Sequence, residues 1–338
     1  MSFAHHLVRL QILFFSSVAV STAISSSSTY QYPILVVGAT DGMGRQAIDG
    51  LLDAGCQPSQ LRILSRNPET LKAWQAQGFG ICQADLDNLE SLIEGLKDCS
   101  GKCYVHSTGN DTNNNNTRQL SRARNLAFAI SASTNLDKPH LVFNSVAGEP
   151  EFVGSRRQQS LHVENIFKNE FPTIDVTTLR SHLLMDEFWK TITRPAILKG
   201  RLVVCVSPQT TIFLTAVADI GRIAGACLLS TETTARRDIN VAGDALTPVQ
   251  MAEIFAKVQG SPCTHSRGRY MALIPQIFFN GLPEDFYFLR KTKISADIKA
   301  LKQEFGTVTS LEEYLKESRW SDESFAYEDL LKQKIFDI

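Results

Sequence analysis

The turn "GATDGMG", Gly38 to Gly44, stands between an apolar run, "PILVV", and a segment whose Ala47, Ile48, Leu51 and Leu52 share one helical face. Strand, glycine turn and helix in that order make an anion site. The first helical turn has N–H groups without intrahelical partners and carries the positive end of the helix dipole, which suits a pyrophosphate. Gly38 is read as the tight turn, and Gly42 and Gly44 as the positions where backbone approaches phosphate and helix approaches strand. The spacing is Gly-x-x-x-Gly-x-Gly, not the Gly-x-Gly-x-x-Gly of two-domain dehydrogenases.

A second chemical signal lies at the end of the next apolar run, in "LSRNP". A site for NAD(H) places Asp or Glu there to accept from the ribose 2′-hydroxyl. This chain has Ser65 and Arg66 and no carboxylate. A guanidinium beside a 2′-phosphate forms a charge-assisted pair worth ~1.5–3 kcal/mol, roughly ten- to a hundredfold in affinity. The expected cofactor is therefore NADP(H), preferred over NAD(H).

These residues need a scaffold, and the pattern supplies one. Apolar runs at 33–38, 61–65, 102–107, 140–145 and 175–180 read as buried strands, with one more within 78–85 ending at Asp85. Helical patterns lie between them. Leu89, Leu92, Ile93 and Leu96 form one face, with Asp87 as the expected N-cap and Glu90 three residues on. Leu120, Ala123, Ala127 and Ile130 mark a longer helix, and Val163, Ile166 and Phe167 another. Alternation of this length implies an α/β fold, a Rossmann-like doubly wound parallel sheet covered on both faces. Beyond about residue 195 the rhythm changes. "RLVVCV" and "DINVAG" read as strands and "ADIGRIAGACLLS" as a helix. In "LTPVQMAEIFAKVQG", Thr247 caps a helix, Pro248 fills its first position and Gln250 completes a capping box. The expected division is a targeting segment at 1–29, a nucleotide-binding core at 30–195, and a smaller, mostly helical C-terminal substrate lobe at 196–338.

Composition excludes some classes. With 43% hydrophobic residues and a formal net charge of -1, the 338-residue chain has no bulk attraction for nucleic acid or an anionic membrane. Its seven cysteines contain no Cys-x-x-Cys pair, so no metal site is expected. Cys82, Cys205 and Cys227 sit among apolar neighbours and read as small buried hydrophobes, which suits a reducing compartment. The leader has one Arg, an apolar stretch from about Ile12 to Ile24 and then a serine run without acids. That layout is read as a signal or transit peptide, for a plastid, a mitochondrion or the secretory route; the apolar stretch is too short for a stable membrane span. Sequons at Asn110 and Asn115 fall in an Asn-rich loop, 109–117, at the edge of the sheet where ligands bind.

With "VVGATDGMG", "LSRNP", "QADLDNLESLIEGL", "HLVFNSVAG", "VENIF", "TLRSHLLMDEF", "AVADIGRIAGACL", "INVAGDALTPVQMAEIF" and "ISADIKALKQEFGTVTSLEEYL", the chain resembles the NmrA-like family of atypical short-chain dehydrogenases over most of 33–318. Where that family usually has Gly-Ala-Thr-Gly-x-x-Gly, Asp41 replaces the second glycine here and Gly42 follows it. The resemblance implies that Gly38, Thr40, Gly42, Met43 and Gly44 line the pyrophosphate and that Arg66 meets the 2′-phosphate. It implies Asp85 and Leu86 at the adenine edge, and Ser107 and Thr108 near the nicotinamide ribose.

Short-chain dehydrogenases use a Tyr-x-x-x-Lys pair soon after a catalytic Ser, the Lys drawing the phenol's pKa toward working pH. Ser145 stands at the Ser position, but no Tyr follows before Tyr270. The literal match Tyr287 with Lys291 falls too far downstream. Related reductases keep a Lys shortly before "VE"; Ser160 stands there. The candidate catalytic residues are thus Ser145 and His162, with His182 on the substrate side. Three functions follow: an NADP(H)-dependent oxidoreductase for a small carbonyl or conjugated substrate, its pocket lined by the aromatics of 273–289; a non-catalytic NADP(H)-sensing regulator with a protein partner; or an organellar assembly or scaffold factor.

Overall fold

The computed structural model describes residues 33–40, 42–106, 116–133, 138–148, 156–190, 193–204, 206–266, 295–306 and 308–326. The expected targeting segment 1–29, Asp41, Ser107, Thr108, residues 109–115 of the Asn-rich loop, Cys205, Tyr270, the aromatic stretch 273–289 and the Tyr287–Lys291 pair lie outside them.

Among the described residues twelve strands run in chain order: β1 (Ile34–Val37), β2 (Leu61–Ser65), β3 (Gly80–Gln83), β4 (Lys102–Val105), β5 (His140–Val146), β6 (Asp175–Ser181), β7 (Leu183–Leu184), β8 (Arg201–Val203), β9 (Ile212–Thr215), β10 (Asp238–Val241), β11 (Asp244–Leu246) and β12 (Thr264–Ser266). The helices are α1 (Gly42–Asp53), α2 (Lys72–Ala76), α3 (Leu89–Gly95), α4 (Asn116–Ser133), α5 (Arg156–Asn165), α6 (Thr193–Leu198), α7 (Val217–Leu229), α8 (Thr231–Thr234) and α9 (Pro248–Gln259), followed by two C-terminal helices, Ile298–Phe305 and Leu311–Glu317.

Seven strands make one parallel sheet in the order β10-β6-β5-β4-β1-β2-β3. The uninterrupted apolar run of β1 follows from this position. Ile34 and Val36 pack with α1 and α7 residues on one face, and Leu35 and Val37 with those of α3, α4 and α5 on the other. Chain order reverses between β1 and β4, which makes that the switch point, and ligands of such sheets bind beyond the strand ends there. The chain leaves the sheet after β6 and returns: α7 packs against α1, and β10 pairs with β6. Close approach of α7 to α1 depends on Gly221, where a Cβ would stand 1.9 Å from the Gln46 carbonyl oxygen.

The remaining strands form a three-stranded sheet, β11-β9-β7, and a two-stranded one, β12-β8. They enclose a separate apolar cluster in which Trp189, Phe255 and Trp320 pack edge to face or tilted. Arg194 lies 4.1 Å above the Trp189 ring and donates to the backbone carbonyls of Trp320, Asp322 and Phe325, fastening the last described segment. Asp219, fully buried on α7, accepts from Thr309 N (2.8 Å) and Thr309 Oγ1 (2.9 Å) and ties the segment leading into the helix Leu311–Glu317 to α7. Thr247, Pro248 and Gln250 open α9 with the expected capping box.

One cap differs from its expectation. Asn88, not Asp87, caps α3, its side chain accepting from Ser91 N. Asp87 is drawn instead into bidentate pairs with Arg118 and Arg122 of α4. Two guanidinium partners outcompete a single backbone N–H, and they hold the Asp87 carboxyl well below the usual carboxylate range, Arg122 contributing most. No helix among the described residues is long and apolar enough to cross a membrane. No group of three or more His, Cys, Asp or Glu side chains among them could hold a metal ion.

Candidate functional site

Past the carboxyl ends of β1, β2 and β3 and at the end of β5 the sheet carries the described residues read from sequence. Gly38 leaves β1 at φ +87°, a conformation open to glycine and costly for other residues. α1 begins at Gly42, and at Gly44 a Cβ would stand 2.0 Å from the Gly38 carbonyl oxygen. No side chain fits there, so the first turn of α1 lies directly on the turn that follows β1. Gly38, Thr40, Gly42, Met43 and Gly44 thus stand together at the switch point, Thr40 exposed and Gly44 buried. The helix has no acidic residue in its first turn to repel an anion.

Arg66 is exposed just past β2. The turn that presents it closes on itself: Ser65 Oγ accepts from Asn67 N (3.1 Å), and Asn67 Oδ1 accepts from Glu69 N (3.1 Å). The guanidinium makes no ion pair with an acid among the described residues, so its charge is available to an anion. After β3, Asp85 Oδ1 accepts from Asp87 N (3.0 Å), and the Leu86 carbonyl accepts from Asn125 Nδ2 (2.9 Å). Asp87, next to them, is held by two arginines, and Asp85 and Leu86 are half-buried.

The other flank is different in kind. Ser145 at the end of β5 is fully buried, and its hydroxyl donates to Glu164 Oε2 of α5 at 2.9 Å. Glu164 also accepts from Lys168 Nζ (2.7 Å) and from the Arg180 guanidinium of β6. Asp238 of β10 accepts from Lys168, Arg180 (3.0 Å) and Thr178 Oγ1 (2.6 Å). Two acids and two bases cancel in charge. Burial alone raises the Glu164 pKa, but hydrogen bonds from Arg180 and Lys168 outweigh it and keep the carboxylate below its usual range. His162 lies on α5 two residues before Glu164 and is exposed, so the two sequence candidates for catalysis are placed in different surroundings. His182 is buried just past β6, its ring 5.1 Å from that of Phe213 and its backbone N–H donating to Thr215 Oγ1 (3.0 Å).

Sequence reasoning passed over two residues of this edge. His106, half-buried after β4, and Asn144, buried near the end of β5, meet at 3.1 Å between Asn144 Nδ2 and His106 Nδ1. Asn144 Nδ2 also donates to Met43 Sδ at 2.8 Å, which links the α1 turn to β4 and β5. The available signal was register: a polar side chain in the apolar run "HLVFNS", and a histidine at the end of the strand beside the switch point. A glycine-walled helix N-terminus, an available cation past β2 and a buried carboxamide past the switch point are a donor set suited to a dinucleotide with a 2′-phosphate.

A model of the NmrA-like family matches residues 31–330. A comparison with curated protein sequences gave no match. Among solved structures, the NADPH-dependent quinone oxidoreductase of Escherichia coli, complexed with NADPH, is similar with a TM-score of 0.69 at 21% identity, over 84% of this chain and 99% of that one. The triphenylmethane reductase of Citrobacter sp., complexed with NADP(H), is similar with a TM-score of 0.69 at 21% identity, over 85% of this chain and 99% of that one. NmrA, a negative transcriptional regulator in complex with NADP, is similar with a TM-score of 0.60 at 14% identity, over 85% of this chain and 95% of that one.

Proposed function

Because the chain belongs to the NmrA-like family, we propose that it binds NADP(H) at the β1–α1 turn and transfers hydride to a small conjugated acceptor. The observation that carries the reading is the Gly38–Gly44 contact, which brings the α1 N-terminus onto the switch point, with Arg66 available one strand away. Relatives of this fold that hold NADP(H) include two reductases, which supports the redox side of the reading.

The hydride chemistry would come with the nicotinamide. The chain's own part is to bind and orient. Main-chain N–H groups of the α1 turn would meet the pyrophosphate, and Arg66 the 2′-phosphate. Simple ketones call for an acid that protonates the nascent alkoxide, and the Tyr and Lys that do this elsewhere do not stand at their usual place soon after Ser145. Ser145 cannot take their place while its proton is committed to Glu164. A quinone or another delocalised acceptor spreads the incoming charge over its own π-system and takes its proton from solvent. That substrate class asks least of a site built this way. NADPH consumption by the full chain against quinones, conjugated dyes and simple ketones tests it. Turnover is expected with the delocalised acceptors, and Ser145→Ala should keep it within about threefold, a change of ~0.7 kcal/mol. Turnover of ketones abolished by Ser145→Ala would overturn this reading.

A second reading, a nucleotide-sensing regulator that engages a protein partner without turnover, is favoured by the same locking of Ser145 and by the likeness to NmrA. Tight NADPH binding with no consumption across the panel would select it.

A further inference from the structure

Asn144 interrupts the apolar run of β5 and is buried, with 6% of its surface exposed. Its Nδ2 faces Met43 Sδ at 2.8 Å and His106 Nδ1 at 3.1 Å. A thioether accepts and cannot donate, so the amide nitrogen, not the oxygen, points at Met43. The same nitrogen then donates to His106 Nδ1, and neutral His106 carries its proton on Nε2. The other carboxamide atom, Oδ1, is buried without a hydrogen-bond partner among the described residues. An amide oxygen in that condition is destabilising and marks a donor still to arrive.

The strand order says where that donor would come from. A dinucleotide with its 2′-phosphate at Arg66, past β2, and its pyrophosphate on α1, past β1, must run its other half across the switch point over β4 and β5. His106 and Asn144 stand at those two strand ends. We propose that Asn144 Oδ1 accepts a hydrogen bond from the nicotinamide half of the bound dinucleotide, Met43 and His106 fixing the carboxamide in the orientation that presents it. The proposal rests on the dinucleotide reading above and adds a residue to it. The donor is either the nicotinamide carboxamide N–H or a hydroxyl of its ribose.

The test is calorimetric titration of the full chain and of Asn144→Leu with NADPH, 2′-phospho-ADP-ribose and adenosine 2′,5′-bisphosphate. Leucine matches asparagine in heavy-atom count and branching and removes the polarity, including the acceptor that lacks a donor. NADPH affinity is expected to fall about tenfold, while adenosine 2′,5′-bisphosphate binds unchanged. A melting curve of the ligand-free variant, which also gives up the Nδ2 contacts to Met43 and His106, shows that it is folded under the titration conditions. Loss of 2′-phospho-ADP-ribose affinity alongside NADPH assigns the donor to the ribose, and its retention assigns it to the nicotinamide carboxamide. Unchanged NADPH affinity, or equal loss of all three ligands, would overturn the proposal and leave the dinucleotide reading standing. Wild-type protein that binds none of the three would overturn both. Asn144→Ala gives the same readout should the leucine variant not fold.

Discussion

The Gly38–Gly44 turn and the flank formed by β5, β6 and β10 belong to one parallel sheet, yet they are held by different forces. At the turn, backbone lies on backbone, with a Cβ excluded at Gly44 by the Gly38 carbonyl 2.0 Å away, and the nearby cation Arg66 is available. Along the flank, Ser145, Glu164, Lys168, Arg180 and Asp238 satisfy one another. A helix N-terminus and an available guanidinium suit an anionic ligand. A closed, neutral network suits a fixed framework, and in this chain it holds Ser145, one of the two residues expected from sequence to be catalytic.

The largest expected effect breaks the flank. Glu164→Ala leaves the Ser145 hydroxyl without its acceptor and Arg180 and Lys168 with Asp238 alone beside a vacated, buried site, and removal of one partner from such a network costs up to ~3–5 kcal/mol. Denaturant unfolding should show that loss while any folded protein still binds nucleotide. Loss of nucleotide binding without loss of stability would mean the two regions are not separable as described.

Acid sharpens the same contrast. His140, fully buried at the start of β5, sits between Thr177 Oγ1 (2.8 Å) and Thr231 Oγ1 (3.1 Å). Burial, with Lys102 nearby, pushes its pKa down to about 4, against a modest opposing pull from Asp175. The unfolded chain, titrating near 6.5, then binds more protons than the folded one between those values. Stability is full above about pH 6.5 and declines as pH falls toward 4, by about 3 kcal/mol for this group. Glu164 and Asp238, both held below the usual carboxylate range, extend the loss at still lower pH. Unfolding followed across pH 7 to 4 should show this slope, and His140→Gln should flatten it between pH 6.5 and 4.

A smaller effect on stability, with a larger one on binding, is expected at the turn. Gly44→Ala forces α1 off Gly38 at a cost of ~1–3 kcal/mol. It should abolish NADPH binding under conditions where the protein remains folded, as a melting curve beside a titration would show.

Much of the sheet was legible because burial on both faces writes continuous apolar runs. "LRILS" became β2 residue for residue, and Thr247, Pro248 and Gln250 capped α9 as their types demand. What could not be read was decided by partners distant in sequence. Asp87 lost its capping role to arginines 31 and 35 positions away. The Ser145 hydroxyl is held by a carboxylate 19 residues on, whose charge is balanced from β6. Asn144 reads as one polar residue in a strand until β4 and α1 bring His106 and Met43 to it. The return of the chain into the sheet at β10 has no local signature, since four residues of alternating burial suit an edge strand in any of the three sheets.

Cofactor choice at the open edge is the most direct test of the contrast between the two regions. NADPH and NADH should be titrated into the full chain and into Arg66→Ala. NADPH is expected to bind more tightly than NADH, and the variant should lose roughly ten- to a hundredfold of NADPH affinity with NADH nearly unchanged. Equal affinities that the substitution leaves alone would contradict the assignment of Arg66, and binding of neither nucleotide would reduce "GATDGMG" to a turn.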